Sequence, residues 1–424
     1  MRLIHWMTAV LAVVPLLQAC GGAEDDSGDG AVRVVNASTS GALDLYASDT
    51  LLSSDVAVDS ASSYVALGAG TYTLKLKRSG SSTTSNSGDR SVLEGTAHTL
   101  LAYTTSDTLK TVFLTDNEEA PTSGTAKLRV FNASVEAGAV DVYVTTGDAT
   151  LADSSATASA LAAERSSAYN EISAGSYRIR VTGNGDKADL RLDLGDVTLS
   201  NQQITTLVLT SGSGGVLVHG LFIDQRSTVT ARKNASARVR LVAGAAANGT
   251  AAATVNGTTL SSGLKSPAVG GYALVPAGAL GGIASLDGAP LSLPAATLAA
   301  GSDSTLLLNS TGGRGVATLL SDDNRPASSS SQARLRLVHG VGDLAGAITL
   351  TADYSAVAGD VAVNSASTPA SLTAGSELRL EATTPTAASA LYLGADITLS
   401  AGKVYTLFML GDANAPAGVL RRDR

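Results

Sequence analysis

The sequence predicts an all-β protein built as four tandem immunoglobulin-like β-sandwich units. Three observations carry that expectation. A short strand with a central arginine occurs four times, as Val32-Arg33-Val34-Val35, Leu128-Arg129-Val130-Phe131, Val239-Arg240-Leu241-Val242 and Leu335-Arg336-Leu337-Val338. The arginines are spaced by 96, 111 and 96 residues, the length of a sandwich and far beyond a solenoid turn. Between them lie short segments that alternate apolar and polar at period two, with no stretch of 3.6-residue periodicity.

The first unit, 31–119, opens on the arginine strand, whose aliphatic neighbours face one way and whose arginine faces the other. Alternation resumes in Leu43-Asp44-Leu45-Tyr46, in Tyr64 to Leu67 and in Thr71 to Leu76 after the landmark Ala69-Gly70. The polar run Ser79 to Gly88 reads as a loop tip, and Thr99 to Tyr103 and Thr111 to Leu114 complete about seven strands. The second unit, 125–226, repeats these landmarks with Val140-Asp141-Val142-Tyr143, Ala174-Gly175 and Thr206-Leu207-Val208. The third, 236–325, and the fourth, 332–424, keep the arginine strand, an Ala-Gly pair and a Thr-Leu strand but lose the Asp-x-Tyr feature. Linkers are expected at 117–124, 227–235 and 324–331, where composition shifts.

Ahead of the units, residues 1–19 read as an export signal. Arg2 is followed by an apolar run from Met7 to Leu17, too short to span a hydrocarbon core of about 30 Å. Leu17-Gln18-Ala19-Cys20 resembles the lipobox of bacterial lipoproteins, and the resemblance implies that Cys20, the sole cysteine, carries the lipid anchor. Residues 20–30 then form an acidic tether, and Gly21 after the cysteine points to the outer membrane. With one cysteine, no internal disulfide can form.

Composition excludes some functions. A net charge of −8 without a basic stripe argues against nucleic acid as a partner, since phosphate neutralisation supplies most of that affinity. No Gly-x-Ser-x-Gly elbow, phosphate loop or His-x-x-x-His spacing occurs, so the chain is expected to be no enzyme and to need no cofactor. The three histidines beyond the signal, His98, His219 and His339, are read as structural. Two weak binding candidates remain. The acidic exits Asp116-Asn117-Glu118 and Asp322-Asp323-Asn324 offer the clustered oxygens that calcium prefers, against the plainer reading of a solvated linker. Tyr46 and Tyr143 could form an exposed stripe for a protein or glycan, against simple packing over a neighbouring strand.

Arg33 to Ser38, Leu43 to Tyr46 and Ala69 to Tyr72 together resemble the bacterial domain-of-unknown-function 4397 family. Arg129 to Ser134, Val140 to Tyr143 and Ala174 to Tyr177 repeat the match, and Arg336 to Gly340 repeats part of it. The resemblance implies exported immunoglobulin-like domains and supplies no functional residues. The expected role is therefore a non-enzymatic envelope lipoprotein, acting as a spacer, structural or adhesive element, or else as a ligand-binding module.

Overall fold

The computed structural model describes residues 28–246 and 248–424. Cys20, Gly21, the export signal and most of the tether lie outside the described residues. Within them the chain is all-β and contains no helix, as the alternation predicts.

Each unit is two sheets face to face. In the first, Asp29–Ala37 lies parallel to Ala97–Thr105, which pairs antiparallel with Thr108–Thr115. Ser60–Ala61 and Val65–Gly68 share the other edge of Asp29–Ala37. The second sheet runs Thr50–Val56, Leu43–Ala47, Gly70–Arg78, Thr84–Val92. Val32 and Val34 from one sheet close over Leu43, Leu45, Leu74 and Leu76 from the other to make the core. The same arrangement recurs around Ser236–Ala243 and Gln332–His339, and around Thr125–Asn132 in the second unit.

Three details depart from expectation. Asp29 and Gly30, assigned to the tether, already belong to the first strand. Half of the polar run Ser79–Gly88 is strand, because Thr84–Val92 pairs along Gly70–Arg78 and leaves the turn at 79–83. A strand with one solvated face needs few apolar residues, so its composition mimics a loop. The stretch 227–235 likewise holds a strand, Val229–Arg232, which adds to the edge of Val218–Asp224.

The larger finding concerns the arginine strands. Both of their faces are buried. Val35, Leu101 and Tyr103 of the first unit pack against Phe131, Val208 and Leu221 of the second in one apolar cluster. Val242 and Leu307 of the third meet Val338 and Phe408 of the fourth in another. Units in tandem along the chain are thus joined face to face in pairs, one with two and three with four. Each fully buried side chain of this size contributes roughly 1.5–3 kcal/mol, so these seams are cores in their own right. Replacing Phe408 by Ala is expected to cost about 3–5 kcal/mol, read by denaturant unfolding of the whole chain. A cost near zero would remove the seam from the account.

Candidate functional site at the seams between units

Every arginine strand lies beside a threonine strand in parallel register, and the register is the same four times. Arg33 sits opposite Thr99, Arg129 opposite Thr206, Arg240 opposite Thr305 and Arg336 opposite Thr406. In each case the guanidinium Nε donates to the threonine hydroxyl, at 2.9, 2.8, 2.8 and 2.9 Å. The hydroxyl passes the interaction on. Thr99 donates to Asp116 at 2.6 Å, Thr305 to Asp322 at 2.6 Å and Thr406 to Asp423 at 2.5 Å, while in the second unit the neighbouring Thr205 donates to Asp224 at 2.6 Å.

A tyrosine covers three of the four arginines. Tyr64 lies 4.7 Å from Arg33, Tyr169 4.6 Å from Arg129 and Tyr272 4.5 Å from Arg240, distances suited to cation–π attraction. Tyr64 also donates to Asp116 at 2.7 Å and Tyr272 to Asp322 at 2.5 Å. Burial and the Asp116 carboxylate together push the Tyr64 phenol up to about 12. In the fourth unit Pro369 occupies the corresponding place. These tyrosines were missed in the sequence, although each follows its arginine by 31 to 40 residues and so carried a signal.

The two seams use the relay differently. Between units one and two, Arg33 donates to main-chain carbonyls, Ser227 at 2.6 Å and Asp224 at 3.1 Å. Between three and four the partners are carboxylates. Arg336 donates to Asp322 at 2.5 Å, Arg240 to Asp423, and Arg240 also lies 3.4 Å from Asp322. Arg240, Arg336 and Asp322 are no more than 2% exposed. Burial alone pushes the Asp322 carboxyl up, but Arg336 and Arg240 outweigh it and hold the group below its ordinary value.

The calcium candidates therefore need correcting. Asp116 and Asp322 are buried acceptors already filled by hydroxyls and guanidinium groups, not open ligands at a solvated exit. Glu118 is paired with Lys127 at 2.5 Å, and Asp323 with Arg325 at 2.8 Å and Arg334 at 2.9 Å. Asn324 donates to Asp303 at 2.8 Å and to Tyr272 at 2.9 Å. Asn117 alone of the six is exposed. The tyrosine stripe fares similarly. Tyr46 is half-buried under Lys77, and Tyr143 is 3% exposed beneath Lys187. The cause is the segment 146–157, where the first unit has only a tight turn. Arg180 donates to Ala149 and Lys187 to Ala152 and Ser154, which folds the segment over the outer face.

The histidines are structural in their contacts. His339 takes the repeat position of Asn36 and Asn132, and its Nδ1 accepts from the amide of Val341 as their side-chain oxygens accept from residues two ahead. His98 stacks on Phe113 and accepts from Leu93. His219 accepts from the amide of Asn234 at 3.0 Å, and burial, helped by Lys233, lowers it to about 4.

A cavity of about 270 Å³ lies where the first and second units meet the linker between the third and fourth. Asp59 pairs across it with Lys233 at 2.6 Å, and Asp107 with Arg325 at 2.6 Å. His219 and the buried Glu136 also line it, among several serine and threonine hydroxyls. Glu136 accepts from Thr105 at 3.0 Å, the Ser106 amide at 2.6 Å and Ser211 at 2.5 Å. Beside it the second and third units touch through backbone. A Cβ on Gly301, whose φ is +78°, would stand 3.0 Å from the Cα of Gly212, so glycine is needed there for both conformation and clearance.

Residues 30–143 match the model of a domain of unknown function (DUF4397), the family that the opening-strand motifs resemble. The match covers the first unit and the opening of the second. No curated protein matches the chain. Among solved structures, the Bacillus anthracis TIE protein aligns at 10% identity over 92% of this chain and 69% of its own, with a TM-score of 0.15. A product complex of the multi-modular glycogen-degrading pneumococcal virulence factor SpuA aligns at 10% identity over 86% of this chain and 37% of its own, with a TM-score of 0.16. Likenesses at that level carry no functional argument.

Two expectations follow. Asp322→Asn leaves the buried Arg336 without a carboxylate and Arg240 with Asp423 alone, and is expected to cost about 3–5 kcal/mol. Asp116→Asn, which disturbs only hydroxyl donors, is expected to cost about 1–3 kcal/mol. Equal losses in denaturant unfolding would contradict the charged character of the second seam. For pH, a base whose folded value is depressed leaves the unfolded chain binding more protons between its two values. Stability should thus fall by roughly 3 kcal/mol as pH drops from the ordinary histidine value of 6.5 towards 4. His219→Asn should flatten that slope. The Asp322 contribution acts in the same direction over a lower window: it is fully present above 3.8 and is lost only as pH falls below that value. A stability curve measured from pH 3 to 8 on both chains separates the two.

Proposed function

We propose that this chain is a non-enzymatic lipoprotein of the bacterial cell envelope, held at the outer membrane by acyl chains on Cys20 and presenting paired β-sandwich units as a structural, spacing or adhesive element. One observation carries the reading. The carboxylates and guanidinium groups that could have served chemistry are spent on one another inside the seams, as with Asp322 between Arg240 and Arg336. A side chain so placed holds surfaces together and has no free face for a substrate. The lipobox-like ending at Cys20 and the family match of residues 30–143 support an exported, anchored form.

The test of anchorage is direct. Wild-type chain expressed in a bacterial host should incorporate labelled palmitate and sediment with membranes, whereas Cys20→Ala should do neither. A Cys20→Ala chain that still sediments with membranes would sink the anchor.

A second reading, a ligand-binding module, is favoured by the cavity beside Asp59, Lys233 and His219. It would take a small polar group from a glycan or peptide partner. Calcium is the poorer occupant, because the acidic exits are filled from within. Thermal unfolding of the mature, unlipidated chain is expected to be the same with and without millimolar calcium. A raised midpoint would return metal binding to the account.

A further inference from the structure

Units three and four meet through the same face of equivalent strands, and each supplies the other with the same group. Arg240 of the third donates to Asp423 of the fourth, and Arg336 of the fourth donates to Asp322 of the third. Asp322 and Asp423 are equivalent, each 17 residues beyond the threonine that donates to it. The apolar contacts mirror one another as well. Val242 and Val338 each follow their arginine by two residues, and Leu307 and Phe408 each follow their threonine by two. The first seam lacks this reciprocity: Arg33 donates to the carbonyl of Asp224, but the carbonyl of Asp116 is met by Arg226, while Arg129, the counterpart of Arg33, bonds to Thr206 of its own unit.

An interface in which one surface meets its own equivalent is isologous, the form that identical subunits adopt about a two-fold axis. Here it is made within one chain, and nothing in the contacts themselves requires that the two faces share a backbone. We propose that the arginine face is a self-recognition surface whose partner, when freed from the neighbouring unit, is the same face on a second copy of this chain. Two chains then pair by exchanging units across the 324–331 linker. The proposal concerns self-association and stands apart from the anchorage and cavity readings above.

Complementary substitutions test it in the full mature, unlipidated chain. Val242→Glu spoils the face of unit three, and Val338→Glu that of unit four. Each chain then keeps one intact face that its own neighbour can no longer cover. Light scattering after gel filtration is expected to show a species of twice the chain mass when the two variants are mixed, while the wild-type chain, both faces closed, stays monomeric. Variants with wild-type β circular dichroism that remain monomeric alone and mixed would overturn the proposal. A second arm needs no substitution and decides even where a variant fails to fold. Wild-type chain refolded from guanidinium should give a dimer fraction that rises with concentration during refolding and survives dilution. Refolding to monomer alone at every concentration overturns the idea equally.

Discussion

The structure depends on burying an arginine in the middle of a sheet. Taking a guanidinium from water is costly unless its donors are met and its charge is compensated. In this chain the first requirement is satisfied within the unit, by a threonine held opposite through parallel register. The second is satisfied at the seam, by an aspartate or by carbonyls at the end of the last strand. The arginine therefore couples three things that could have been independent: the register of the parallel pair, the path of the chain on leaving the unit, and the approach of the next unit. Shift the register by one residue and Val34 would face the seam while Arg33 entered the apolar core of its own sandwich.

The seams show two ways to neutralise the same charge. In the first, Arg33 spends its donors on carbonyls, and Tyr64 and Asp116 complete a mostly neutral shell. In the second, two arginines and two aspartates interlock with Tyr272 between them. A buried ionic cluster adds less to net stability than its Coulomb attraction suggests, because desolvation offsets much of it. Its distinctive effect is on specificity, since a wrong neighbour would leave charges unpaired. The apolar contacts around Phe408 and Val338 supply adhesion, and the charges select which surface is admitted.

Much of this was legible in the sequence. The alternation in Leu43-Asp44-Leu45-Tyr46 gave a strand, the Ala-Gly pairs of the first, second and fourth units marked where long strands begin, and the fourfold arginine set the unit length. The acidic exits were singled out, but as solvated or metal-binding groups, because a sequence does not reveal what stands opposite a carboxylate. The seam itself left a trace that went unread. In Val32-Arg33-Val34-Val35 the period of two places Val35 on the arginine's face, and Leu101 likewise shares the face of Thr99. An aliphatic residue on both faces means a strand covered on both sides. Arginine is so rarely fully buried that it masks such a signal. Tyr143, weighed as a stripe residue against the plainer reading of packing, is buried; its cover comes from an insertion, and no local pattern announces where an insertion folds.

Arginines within a pair are 96 residues apart in both cases, whereas the step between pairs is 111. Most of the difference lies inside unit two: Arg129 precedes its threonine by 77 residues, against 66 in unit one and 65 in unit three, with the segment 146–157 between them. The connection from each threonine to the next arginine is nearly constant at 30, 34 and 31 residues, although the step from unit two to unit three holds an extra edge strand, Val229–Arg232. Contacts across that step are also of another kind: backbone against backbone at Gly212 and Gly301, and the amide of Asn324 on the carbonyl of Gly214 at 2.6 Å. Such contacts position two pairs without merging their cores. The physical module of this chain is accordingly the pair, and its four units are two copies of one doubled sandwich.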